Sequence, residues 1–317
     1  MLRTYFGVPP LLAGSYQLRW RVLAVIQVVT HIVAGSGSVA ADGTVSCDPA
    51  QQYADPVYAK LYHAVRANGA KLQWSYSTPP ADILTNATNR VNFLATVRDA
   101  VVACDVDGIE FDYEGPPTAQ AADDFTTLLI DIKQAVCRGN SSCGFVISCD
   151  SEPPQWNDYH RLNASKMDGK NIDFVNYMCY FDATPDSDVS RWNESISMLL
   201  DQGYPASTIN IAIPYYTPSG AAWADLCHEC PDLAPDNNSC AGDPIVGKRM
   251  NERIGALAVT RGIGGLFPWM LNYDSSGSTG GCTDNSLFQW LRQGMITAPG
   301  NTFSPPPPSS ASRLPED

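Results

Sequence analysis

Short stretches in which apolar and polar positions alternate with a period of two are separated along this chain by longer stretches with a three-to-four-residue rhythm. That is the pattern of strands alternating with helices. Eight stretches read as strands: Thr4 to Val8, Val28 to Val33, Lys71 to Ser77, Asp107 to Glu114, Gly144 to Asp150, Asp173 to Tyr180, Thr208 to Tyr215 and Ile263 to Met270. Between them, Ala121 to Val136 repeats Phe125, Leu128, Leu129, Ile132 and Val136 on one helical face. Strands that alternate with helices predict a parallel sheet. No repeat of fixed period accompanies the pattern.

One strand carries unusual chemistry. Asp107 to Glu114, D-G-I-E-F-D-Y-E, sets Glu110, Asp112 and Glu114 on one side and Ile109, Phe111 and Tyr113 on the other. Three carboxylates side by side repel one another and resist desolvation, so structure alone rarely asks for them. A solvated edge strand is the plain alternative, but Val101, Val102, Val106, Ile109 and Phe111 make the neighbourhood too apolar for it. A calcium loop through Asp105, Asp107 and Gly108 fails because the glycine comes too early.

The D-G-I-E-F-D-Y-E motif resembles the D-G-x-D-x-D-x-E signature of glycoside hydrolase family 18, the chitinase family, with Glu110 where the family most often has its first inner aspartate. N-Y-M-C-Y-F-D at 176–182 is similar to the family's Met-x-Tyr-Asp segment, with Phe181 interposed. I-N-I-A-I-P-Y-Y at 209–216 and R-G-I-G-G-L-F-P-W-M at 261–270 look like its seventh and eighth strands. Within the family, residues 61–114 most resemble the di-N-acetylchitobiase branch, which also departs from aspartate at the Glu110 position.

The resemblance implies a single-domain (β/α)8 TIM barrel over residues 1–297, with a cysteine-rich loop between strands 7 and 8 and active-site residues at the C-terminal strand ends. It implies a retaining hydrolase of β-1,4-linked N-acetylglucosamine, in which the substrate's own acetamido oxygen attacks the anomeric carbon. Glu114 is then the general acid, Asp112 the group that orients the acetamido N–H, Glu110 the carboxyl that tunes Asp112, and Tyr180 a hydrogen-bond donor to the acetamido oxygen. Trp269 is expected to floor the sugar site, although a plain core tryptophan fits the sequence as well. Met178, Asp107, Tyr215 and Asp182 complete the expected substrate contacts, with Tyr216 a weaker candidate. The reaction needs water and no cofactor or metal. The gap between strands 7 and 8 is too short for a separate inserted domain, so a shallow, end-recognising site for chitobiose, a chitooligosaccharide or an N-glycan core is expected. Family 18 barrels also serve as sugar-binding lectins. A catalytically weak or inactive lectin is therefore the alternative, with retention of Glu114 favouring the enzyme.

Composition narrows the partners. The 317 residues are 44% hydrophobic and carry a formal net charge of −13, so nucleic acid and anionic membrane surfaces would repel the chain. A neutral sugar is compatible, and a monomer is expected. Ten cysteines suit an oxidising compartment. Cys137 and Cys143 bracket a short loop and can pair locally, and Cys227, Cys230, Cys240 and Cys282 lie in loop-like sequence. Zinc at Cys227 and Cys230 is disfavoured by the lack of a second matching pair. Sequons at Asn86, Asn140, Asn163, Asn193 and Asn237 point the same way, to a secreted or lysosomal lumenal glycoprotein. Residues 1–40 admit two readings. Arg19 and Arg21 followed by Val22 to Val33 and Ser38-Val39-Ala40 suit a targeting segment, although the run is too short and interrupted to span a bilayer comfortably. T-H-I-V-A followed by A-D-G-T-V is similar to the second strand and turn of family 18 barrels. The tail from Ala298 to Asp317, with S-P-P-P-P-S-S-A-S, reads as an extended Pro/Ser-rich linker.

Overall fold

A computed structural model describes residues 3–6, 29–35, 39–48, 56–77, 81–113, 116, 118–138, 143–154, 161–180, 189–223, 226, 230, 239–240, 243–274 and 286–300. Eight strands form one sheet: β1 (Arg3–Phe6), β2 (His31–Gly35), β3 (Lys71–Ser77), β4 (Gly108–Asp112), β5 (Val146–Ser151), β6 (Phe174–Tyr177), β7 (Ile209–Pro214) and β8 (Gly265–Trp269). Each pairs in parallel with the next in chain order. β1 lies beside β8, so the sheet curls round into the barrel that the alternation of strands and helices predicts.

Helices follow most strands: α1 (Pro56–Ala67), α2 (Ala81–Thr85), α3 (Ala87–Ala103), α4 (Ala119–Cys137), α5 (Ser190–Asp201), α6 (Lys248–Arg261) and α7 (Ser286–Thr297). Between β5 and β6 the described residues hold only a 3-10 turn, Ala164–Lys166. α4 starts where the Thr118 side chain accepts from Ala121 N, and it buries Phe125, Leu128, Leu129 and Ile132. α3 is capped by Asn86, whose side chain accepts from Thr88 N and Asn89 N. Among the described residues no helix is long and apolar enough to cross a membrane.

The period-two pattern divides the strands between two cores. Trp74, Tyr76, Ile109, Phe111, Ile147, Val175, Ile209 and Ile211 point outward and pack under the helices. Phe111 is central to this layer: its ring stacks on Tyr76 at 5.5 Å and meets Phe125 edge-on at 5.8 Å. Inside the barrel, Val33, Met178, Tyr180, Ala212 and Phe267 form a smaller cluster with Trp269 against it.

Two aspartates close the N-terminal ends of strands. Asp107, just before β4, accepts from Leu72 N at 2.9 Å, from Arg66 at 2.7 Å and from Lys71 at 3.2 Å. Asp173, just before β6, accepts from Ile147 N at 2.7 Å and from the buried Lys133 at 2.9 Å. Beside Asp107, Gly108 has no room for a side chain, because a Cβ there would stand 2.3 Å from Val146 O. The motif glycine is thus a packing requirement between β4 and β5.

On the outside, α6 and α7 cross at two glycines. A Cβ on Gly294 would fall 1.8 Å from Glu252 O, and one on Gly255 would fall 2.2 Å from Leu291 O. The N-terminus of α7 is held by Asp274, which accepts from Leu287 N at 3.0 Å and Phe288 N at 2.9 Å.

Cys137 pairs with Cys143, as their spacing suggests, at a Cα–Cα distance of 5.5 Å. Cys230 pairs with Cys240, and the unforeseen Cys47–Cys104 bond ties the segment after β2 to the end of α3. Cys149 is a free, buried thiol, and Cys179 is buried as well. Cys227, Cys282 and the sequons at Asn140 and Asn237 lie outside the described residues, as does the tail beyond residue 300.

Candidate active site

β4 fixes the carboxylates by parity. Its residues 108, 110 and 112 face the barrel interior, while Ile109 and Phe111 face the helices. Glu110 is fully buried and Asp112, one pleat nearer the C-terminal end, is half-buried. Glu114 and Asp182 lie outside the described residues.

The neighbouring strands surround Glu110 with polar groups. Ser75, Glu110 and Ser148 share one row of the ladder; Asp112, Asp150, Asn176 and Asn210 share the row above. Gln73 donates to Ile109 O at 3.1 Å and to the Ser148 hydroxyl at 2.7 Å, which spans β3 to β5 across the interior. Burial pushes the Glu110 carboxyl well above the usual carboxylate range. The negative charges of Asp150 and then Asp112 push it further, against the Ser75 hydroxyl, which favours ionisation. Glu110 therefore holds its proton more tightly than an ordinary carboxyl, beside the more exposed Asp112.

Aromatic and thioether side chains line the mouth. Met178 and Tyr180 are buried at the end of β6, and the half-buried Trp269 ends β8 on the inward face. Tyr216 meets Tyr180 edge-on at 6.0 Å and Tyr273 at 6.0 Å. Such faces suit the apolar sides of a sugar ring. Among the described residues no three His, Cys, Asp or Glu side chains converge as a metal site.

The structure brings together Glu110, Asp112, Tyr180, Met178 and Trp269, and it parts two of the expected residues from them. Asp107 sits at the N-terminal end of β4, opposite the mouth. Burial opposes its ionisation, but the Leu72 N–H, the Arg66 guanidinium and the Lys71 charge overcome this and hold it below the usual range. It is a structural clamp, and the sequence misleads because the acid is contiguous with the motif. Tyr215 points outward from the end of β7, against Trp223, Leu226 and Leu287. Tyr216, of the opposite parity, takes the inward position. Sequence reasoning missed Asp150, Asn176, Asn210 and Tyr273. Alternation along β5 gives the signal for Asp150, since Ser148, Asp150 and Glu152 share a face and all three are buried.

Comparison with known structures agrees with the fold. The chain superposes on a chitinase-like agglutinin from Robinia pseudoacacia with a TM-score of 0.71 at 15% identity, covering 92% of this chain and 98% of the other. For a GH18 chitinase from Cycas revoluta in complex with (GlcNAc)3 the TM-score is 0.69 at 14% identity, over 93% and 100%. For catalytic domain 2 of the Group II chitinase from Ostrinia furnacalis it is 0.72 at 14%, over 93% and 96%. At these identities the likeness speaks for the fold alone. No curated protein sequence matches the chain. The model of the glycosyl hydrolases family 18 matches residues 13–239. That span includes the carboxylate motif, β6 and β7, and the chain belongs to glycosyl hydrolases family 18.

Proposed function

We propose that the chain is a retaining hydrolase that cleaves β-1,4-linked N-acetylglucosamine in short chitooligosaccharides or N-glycan cores, in the manner of the chitobiase branch. The observation that carries this reading is the inward column of Glu110 and Asp112, with burial and neighbouring charge favouring the protonated form of the lower carboxyl, beneath a mouth lined by Tyr180, Tyr216 and Trp269. Substrate-assisted cleavage needs one acid and one orienting carboxylate. Glu114 donates a proton to the glycosidic oxygen as the acetamido oxygen attacks the anomeric carbon. Asp112 accepts the acetamido N–H and stabilises the positive charge of the oxazolinium that forms. Tyr180 donates to the acetamido oxygen, and Trp269 stacks on the sugar. Water then opens the intermediate while Glu114 takes its proton.

The second reading is a sugar-binding lectin without turnover. It is supported by the likeness to the Robinia pseudoacacia agglutinin and by a glutamate where the family most often has aspartate. Release of 4-methylumbelliferone from chitobiose and chitotriose glycosides separates the two. Turnover that is lost in Glu114→Gln and in Asp112→Asn, with folding intact, supports the hydrolase. A silent wild type that binds chitooligosaccharide by calorimetry establishes the lectin instead.

A further inference from the structure

Asp150 plays no part in the motif, yet it stands where the motif acids meet the next strand. It is the direct ladder partner of Asp112, and Asn176 and Asn210 continue its row across β6 and β7. Asn210 Nδ2 donates to Asn176 Oδ1 at 2.9 Å, and Asn176 Nδ2 donates to Asp150 Oδ1 at 2.8 Å. The amide can only donate there, so that oxygen of Asp150 is committed as an acceptor. All three side chains are buried, and a hydrogen-bonded row of this kind fixes side-chain position.

Glu110 presents the complementary need. Neither of its carboxyl oxygens has a hydrogen-bond partner of standard geometry among the described residues, and it is fully buried. A bare carboxylate there is costly, whereas a protonated one needs only an acceptor. Asp150, on the adjacent strand, is the neighbouring carboxyl with the strongest effect on Glu110. The extra methylene of glutamate over aspartate adds reach toward that strand.

We propose that Asp150, braced by Asn176 and Asn210, is a positioning residue that takes the Glu110 proton in a shared hydrogen bond, leaving one negative charge on the buried pair while Asp112 serves the substrate. This role in turnover rests on the hydrolase reading above. Among the described residues the other charged or titratable groups on that side are Asp112 on β4, Glu152 past β5 and Tyr180 past β6. Cys149 faces the other side of β5. From β3, β6 and β7 the neighbours are Gln73, Ser75, Asn176 and Asn210, all neutral.

The test follows the infrared C=O stretch of protonated carboxyl through a pH titration of the full chain, alongside pH profiles of kcat and KM on the chitotriose glycoside. Wild type keeps a protonated-carboxyl band through neutral pH that is absent from Glu110→Gln. In Asp150→Asn, loss of the neighbouring charge makes that band disappear at a pH lower by about one unit or more. The kcat of Asp150→Asn falls about tenfold or more and its profile moves with the band, while KM stays within about threefold. The double variant is no slower than the slower single, because the pair acts as one unit. Asn176→Ser, which keeps every carboxyl but removes the donor that braces Asp150, moves the pH at which the band titrates, and it carries the test where Asp150→Asn does not fold. A wild type without the band, or a titration unchanged in Asp150→Asn and Asn176→Ser, overturns the shared proton. A wild type without turnover defeats the hydrolase reading alone, since the infrared titration needs no substrate.

Discussion

Replacing Asp107 by asparagine should cost stability and leave turnover alone. The carboxylate is 11% exposed and accepts from Leu72 N, Arg66 and Lys71. A charge-assisted bond to a buried backbone N–H contributes about 1.5–3 kcal/mol. The cations are 30% and 42% exposed, so solvent screening limits each pair to about 0–1 kcal/mol. Asparagine keeps one acceptor, which brings the expected loss to about 2 kcal/mol, or roughly 2–4 °C in Tm for a chain of this size. Because the fold holds the Asp107 carboxyl below its ordinary value, its contribution is complete above the unfolded-state pKa of about 4 and fades as pH falls through the folded one. The gap in Tm between wild type and Asp107→Asn should therefore be full at neutral pH and close in acid. Calorimetry at several pH values, with kcat measured well below Tm, checks both halves. An unchanged Tm, or turnover lost while the protein stays folded, refutes the assignment of Asp107 as a clamp.

Phe111→Ala removes a fully buried ring packed between Tyr76, Phe93 and Phe125. Urea titration should show about 3–5 kcal/mol lost. Tyr215→Phe should leave sugar affinity unchanged and stability equal or up to about 1 kcal/mol higher, because its buried hydroxyl has no partner among the described residues. Tyr216→Ala, one residue on, should weaken chitotriose binding roughly threefold to tenfold by calorimetry. The reverse order of effects would place the wrong tyrosine at the mouth.

Strand order and facing were legible because a strand buried on both sides still sorts its residues by parity. In Gly108 to Asp112 the apolar side reads Ile109 and Phe111 and the acidic side Glu110 and Asp112, and the structure keeps that division. The α4 helix was legible for the same kind of reason, since Phe125, Leu128, Leu129 and Ile132 recur at its own period. What escaped depended on partners distant in sequence. Asp107 looks like part of the acidic motif until Arg66 and Lys71, some forty positions earlier, fold against it. Asp150 looks like the end of a strand until the ladder sets it beside Asp112. Tyr215 and Tyr216 are equally aromatic, and only the phase of β7 relative to the barrel axis separates them. The Cys47–Cys104 bond, with a separation of 57 residues, has no local signature at all.

The glycine crossing of α6 and α7 makes the outer wall a lever on the sugar site. A methyl group at Gly294 or Gly255 must drive the two helices apart, since the atoms it meets are backbone. The N-terminus of α7 is bonded to Asp274, and the turn that ends in Asp274 carries Tyr273 beside Tyr216 and is separated from Trp269 by Met270 alone. Displacement on the outside would thus pull on the rim through a chain of short, stiff links. An alteration on the barrel's exterior, touching no ligand, would be felt as a change in how the rim grips a glycan.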